Sequence, residues 1–225
     1  MREAGAGKVQ DTTLRRIAGG SGFNARVEPF RNTFSKLESK MGFFERRRER
    51  GRLERIVKSI NTQIVGQKFA PDGWEERPGD CVCNLRVAKM GLVRELKSWL
   101  KPALDESPEP LWPHLHALRD RPCMLVPVRF AAPISVEPGG GEEAVPVASS
   151  VRLQEELAAI NDRFHIGETF ALKKMVDYLD ATDKDIALYE QKLGTSEGFW
   201  AKFTYVLLKK LADVSVEKKL PVLFA

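Results

Sequence analysis

The stretch that most constrains the fold is "SEGFWAKFTYVLLKKLADV", Ser196 to Val214. Phe199, Trp200, Phe203, Val206, Leu207, Leu211 and Val214 recur at helical spacing and cover more than half of a helix circumference. A helix that is apolar over so much of its surface has to be surrounded by other elements, so the spacing predicts a central core helix. At 225 residues the chain is long enough to enclose one.

Most of the remaining periodicity is helical too. Phe34, Leu37, Met41 and Phe44 draw one stripe, and Leu53, Val57, Ile60 and Ile64 draw another. About nine residues at 100° each separate the stripes, which turns the apolar side by roughly half a circle. Gly51 lies in that interval, and the pattern favours a break or kink near "RERGR". "FAPDGWEERPGD" (69–80) reads as a loop, then a helix is expected over Leu85–Leu100, stopped by the prolines of "KPALDESPEPLWP". A short helix is expected over 113–119. "CMLVPVRF", "PISV" and "AVPVAS" lean towards β structure, and their prolines suggest a small antiparallel element at edge positions. Ser149 or Ser150 is placed to cap the next helix, with stripes Leu153–Leu157–Ile160–Phe164 and Leu172–Val176–Leu179 beyond it. The apolar tail "KLPVLFA" should dock as a short strand. The expected class is mainly α, α+β at its margin: a multi-helix domain with a small antiparallel β-hairpin. Residues 1–30 form a flexible or extended lead-in, 31–120 an N-terminal helical region, and 121–225 a hairpin followed by a helical bundle that packs with 31–120 as one domain.

Charge divides the chain unevenly. Residues 1–70 carry 16 basic and 7 acidic side chains, against 20 and 24 in residues 71–225. The net +5 therefore belongs to the first third, and such asymmetry points to an anionic partner. No apolar run is long enough to span a bilayer. The first ten residues, "MREAGAGKVQ", hold no apolar core of a signal peptide. Three cysteines make no disulfide framework, so a reducing compartment such as the cytoplasm is expected.

The basic charge peaks in "FFERRRERGRLERI", Phe43–Ile56. Arg46, Arg47, Arg48, Arg50, Arg52 and Arg55 are the candidate anion or nucleic-acid contacts. Read as a helix, Glu45–Arg48, Glu49–Arg52, Arg50–Glu54 and Glu54–Lys58 stand three or four apart, each pair contributing about 0.2–0.5 kcal/mol. Arg46, Arg47 and Arg55 are left without a nearby acid in sequence. No Asn, Gln or aromatic is interleaved with these arginines for base readout, so binding would be to phosphate backbone. A solvated, self-paired helix face remains the bland alternative.

Other signals are weaker. "AGAGK" lacks the first glycine and the Ser/Thr of a phosphate loop. Cys81 and Cys83 with His114 and His116 are zinc-type ligands at spacings unlike those of structural zinc, and no metal or cofactor is expected. His165 reads as a helix-end residue, and Glu155–Glu156 as neighbours that do not face each other. No residues are assigned to catalysis. Trp74 and Trp112, in proline-rich loops, are either exposed partner anchors or covers over a core edge. The expectation is a non-catalytic interaction or structural protein that engages an acidic partner through its basic N-terminal third. The alternative is a sequence-nonselective nucleic-acid binder, for instance an RNA-binding ribonucleoprotein component. An enzyme with a dispersed site comes third.

Overall fold

The computed structural model describes residues 23–27, 43–65, 67, 74, 83–87, 91–104, 111–119, 122–137, 143–166 and 198–224. Their backbone is a mixed α/β arrangement, which overturns the mainly α expectation. The strands are β1 (Phe23–Val27), β2 (Cys83–Val87), β3 (Cys123–Val126), β4 (Ile134–Val136), β5 (Val145–Ser149) and β6 (Val222–Phe224). They join one six-stranded sheet in the order β2-β1-β6-β3-β5-β4. The described helices are α1 (Phe43–Val65), α2 (Leu92–Leu104), α3 (Pro113–Ala117), α4 (Ser150–Phe164) and α5 (Phe199–Lys218).

The expected hairpin is present as β4–β5, antiparallel with Val136 opposite Val145. It is not a marginal element. β5 inserts between β4 and β3 and runs parallel to β3, with Met124 opposite Val147. Pro146 therefore sits in an interior strand, against the expectation that prolines keep this region to edges. The docked tail is β6, which pairs antiparallel with β1 on one side and β3 on the other. Phe23–Val27, inside the stretch read as a lead-in, becomes β1 between β2 and β6.

Period-two alternation explains how strands as short as β3 and β6 are buried on both faces. On β3, Cys123 and Leu125 join Val222 and Phe224 of β6 in a core shared with α2, α3, α4 and α5. Met124, Val126 and Leu223 face the other way, into a cluster with Ile56, Ile60 and Ile64 of α1. The sheet is thus the middle of three layers. The tail of the central-helix expectation is firm: α5 buries Phe199, Phe203, Val206, Leu207 and Leu211.

Two local expectations fail for physical reasons. Leu85 lies in β2, and α2 begins only after Gly91, whose φ of +75° breaks the backbone between strand and helix. Helix α2 then runs through Pro102 to Leu104. The predicted break at Gly51 is absent, because α1 is continuous from Phe43 to Val65. Positions 44 and 53 consequently lie on opposite sides of one helix. The stripe residues Phe34, Leu37 and Met41, and the stripe 172–179, lie outside the described residues.

Candidate functional site

The basic helix and the buried centre of the domain meet at one loop, Pro127–Pro133, between β3 and β4. From one side the loop is held by α1 and the residue just beyond it. Gln67 accepts from the Ala131 and Ala132 amides through Oε1, at 2.7 and 3.1 Å, and its Nε2 donates to the Ala132 carbonyl at 3.3 Å. Gln63 donates to the Ser135 carbonyl on β4 at 3.0 Å. Two residues before Gln63, Asn61 grips the Trp74 backbone in both directions, Nδ2 donating to the carbonyl at 2.8 Å and the amide donating to Oδ1 at 2.6 Å.

From the other side the loop is held by α3, α4 and β5. Helix α3 has five residues, too short to be stable alone. Its free N-terminal amides, His114 and Leu115, donate to the two oxygens of Glu156 on α4, at 2.9 and 2.8 Å. Its C-terminal carbonyls, His116 and Leu118, accept from Lys97 on α2. The His114 ring is fully buried. Its Nδ1 accepts from the Ser149 amide at 3.0 Å, which fixes the proton on Nε2, facing the Ala131 carbonyl at 3.3 Å. Ser149 caps α4 by accepting from the Arg152 amide, and its hydroxyl donates to the Val128 carbonyl at 2.6 Å.

Burial shifts both ionisable groups of this centre towards their neutral forms. It lowers His114 to about 4, and the nearby Arg152 charge acts in the same direction. It raises Glu156 to about 7, against the stabilising amides of His114 and Leu115 and the charge of Arg152. Glu155, one residue earlier, points outward to Arg129 at 2.7 Å and Arg152 at 2.5 Å. The adjacent glutamates therefore have opposite environments, as neighbours on a helix must.

This geometry does not favour nucleophilic chemistry. The contact between Ser149 and His114 runs through the serine backbone amide, while the serine hydroxyl is committed to a carbonyl. Both ring nitrogens of His114 are engaged. His116, two residues on, is exposed, so the pair is splayed along α3. Cys83 lies in β2 and Cys81 outside the described residues. Among the described residues no group of three or more His, Cys, Asp or Glu could hold a metal ion. Nor is any described helix long and apolar enough to cross a membrane.

Arg46, Arg47, Arg48, Arg50 and Arg52 all lie on α1, with side chains outside the described set. Arg55 and Lys58 are exposed, while Ile56, Ile60 and Ile64 turn inward. Trp74 and Trp112 are buried, 5% and 6% exposed. Trp112 packs into the core of the helical layer and Trp74 into the cluster beneath α1. His165 ends α4 in a left-handed conformation with its amide bonded to Asn161. Sequence reasoning names His114 and Glu156 but does not bring them together in this centre. The available signal was Glu156 standing inside the apolar stripe, three residues after Leu153 and four before Ile160.

Residues 82–224 match the model of a family described as "Putative DNA-mimic protein". No curated protein and no solved structure matches the chain.

Proposed function

The chain belongs to this DNA-mimic family, whose model takes in more than half of it, and from that premise we propose that it acts by binding a protein that itself binds DNA. The match over 82–224 is the single observation that carries this reading. An interaction role follows from the family.

A DNA mimic has to offer carboxylates where its partner expects phosphates. The matched region holds 19 basic and 20 acidic side chains, so the mimicry has to be local and not a property of the whole surface. The densest acidic stretch is "DYLDATDKDIALYE", Asp177–Glu190, with five acids and one base. We assign the contact with the partner's basic, DNA-binding surface to Asp177, Asp180, Asp183 and Asp185.

A pull-down with the full chain tests the reading. Partners retained by the wild type should be displaced by excess duplex DNA and lost at raised salt. The fourfold Asp→Asn variant should retain them at least tenfold less well. Retention indifferent to duplex DNA would overturn the reading.

One observation favours a second reading for the N-terminal third: Arg55 and Lys58 are exposed on α1, outside the matched residues. On this reading Arg46, Arg47, Arg48, Arg50, Arg52 and Arg55 engage an acidic protein face or a nucleic-acid backbone. A gel shift with duplex DNA and structured RNA at two salt concentrations separates these two. A salt-sensitive complex lost on replacing Arg46, Arg47 and Arg55 by Ser identifies the nucleic acid.

A further inference from the structure

We propose that Arg129 and Arg152 form a binding site for a phosphate dianion at the carboxyl ends of β3 and β5, with Glu155 as the internal occupant that the ligand displaces. This goes beyond the DNA-mimic reading and concerns residues remote in sequence from Asp177–Glu190.

The topology brings the two arginines together. β3 and β5 are adjacent and parallel, with Val126 opposite Ser149 at their carboxyl ends. Arg129 stands three residues beyond the first of these and Arg152 three beyond the second. One lies on the loop between β3 and β4, the other in the first turn of α4. Open α/β sheets commonly hold their ligands outside the carboxyl ends of neighbouring parallel strands.

The two side chains converge on one carboxylate. Arg129 presents a fork to Glu155, Nη1 to Oε1 at 2.7 Å and Nη2 to Oε2 at 3.2 Å. Arg152 donates from Nη1 to the same Oε2 at 2.5 Å. Its buried Nε bonds to no acceptor among the described residues, so this guanidinium keeps a donor in hand. The Arg152 charge also acts to lower the pKa of both His114 and Glu156, so its positive field reaches the centre behind it.

Exposure and charge select the ligand. The side chains of Arg129, Arg152 and Glu155 are 45%, 31% and 38% exposed, so a solute reaches all three and their ion pairs hold weakly. When Glu155 swings into water, two guanidinium groups are left facing one position. A monocarboxylate would only replace what Glu155 already supplies at the high effective concentration of a tethered group. A phosphate dianion brings a second charge and further acceptor oxygens, which suit planar guanidinium forks.

The test is a titration of the full chain with inorganic phosphate above neutral pH at constant ionic strength, followed by amide NMR. The Arg129 and Arg152 signals should shift and saturate, and acetate at the same concentrations should leave them in place. In Glu155→Gln, phosphate should bind about tenfold more tightly, because the internal competitor is gone. Glu95→Gln removes the same charge from the exposed start of α2 and should leave the affinity unchanged. Adding Arg129→Gln or Arg152→Lys to Glu155→Gln should abolish the gain, the lysine because it keeps the charge without the fork. Shifts that never saturate in Glu155→Gln, acetate matching phosphate, an equal gain in Glu95→Gln, or a gain that survives both arginine changes would each overturn the proposal.

Discussion

At the scale of single residues, His114 and Glu156 act on stability in opposite directions. Glu156 has a folded value near 7 against 4.5 unfolded, so its contribution is complete below 4.5 and lost as pH rises through 7. His114 has a folded value near 4 against 6.5, so its contribution is complete above 6.5 and lost as pH falls through 4. Between 4.5 and 6.5 the slopes offset each other, because folding moves no net proton to or from water. Removing one partner should expose the other. In Glu156→Gln, stability should fall by about 3 kcal/mol as pH drops from 6.5 to 4. In His114→Asn it should fall by a similar amount as pH rises from 4.5 to 7. Urea midpoints across this range measure both, and equal slopes in the two variants would show that the groups are not neutral when folded. Ser149→Ala removes the α4 cap and the Val128 bond together, at a cost of about 1–3 kcal/mol in the same assay.

At the scale of elements, the ends decide more than the interiors. Two glycines with the same φ of +75° differ in what surrounds them. A Cβ on Gly198, at the start of α5, would stand 2.5 Å from Trp99 Nε1, within a ring already packed against Phe164 at 4.8 Å. At Gly91 it would meet only the end of the flexible Arg94 side chain. Gly91→Ala should therefore cost about 1 kcal/mol, the backbone penalty alone, and Gly198→Ala about 2–4 kcal/mol. Thermal unfolding of the two variants gives the difference, and equal losses would remove the steric account. The same logic explains why α3 exists. Five residues persist because Glu156 and Lys97, both remote in sequence, satisfy its two ends. Neither partner could have been assigned from "PHLHA" itself.

At the scale of the whole molecule, the last strand holds the sheet together. β6 is third in the order β2-β1-β6-β3-β5-β4, so it links the pair from the front of the chain to the three strands from its middle. Deleting residues 222–225 should not fray a tail. It should abolish cooperative unfolding, seen as loss of the calorimetric transition, because β1–β2 and β3–β5–β4 then share no strand. Retention of the transition would show that the helical layer alone carries the fold.

Helical periodicity and capping are local, and there the residues sufficed: the core helix at 199–214, the serine cap at 149, the short helix after Trp112 and the docked tail are all written in contiguous stretches. Sheet membership is not local. β3 and β6 are buried on both faces and show no alternation to read, and β1, β2 and β6 acquire their meaning only from partners far along the chain. The arginine run fixes a charged helix but not its continuity through Gly51. Only the assembled structure decided that Glu156 would be buried on two amides while Glu155 reached for water, since that depends on which side of α4 meets α3.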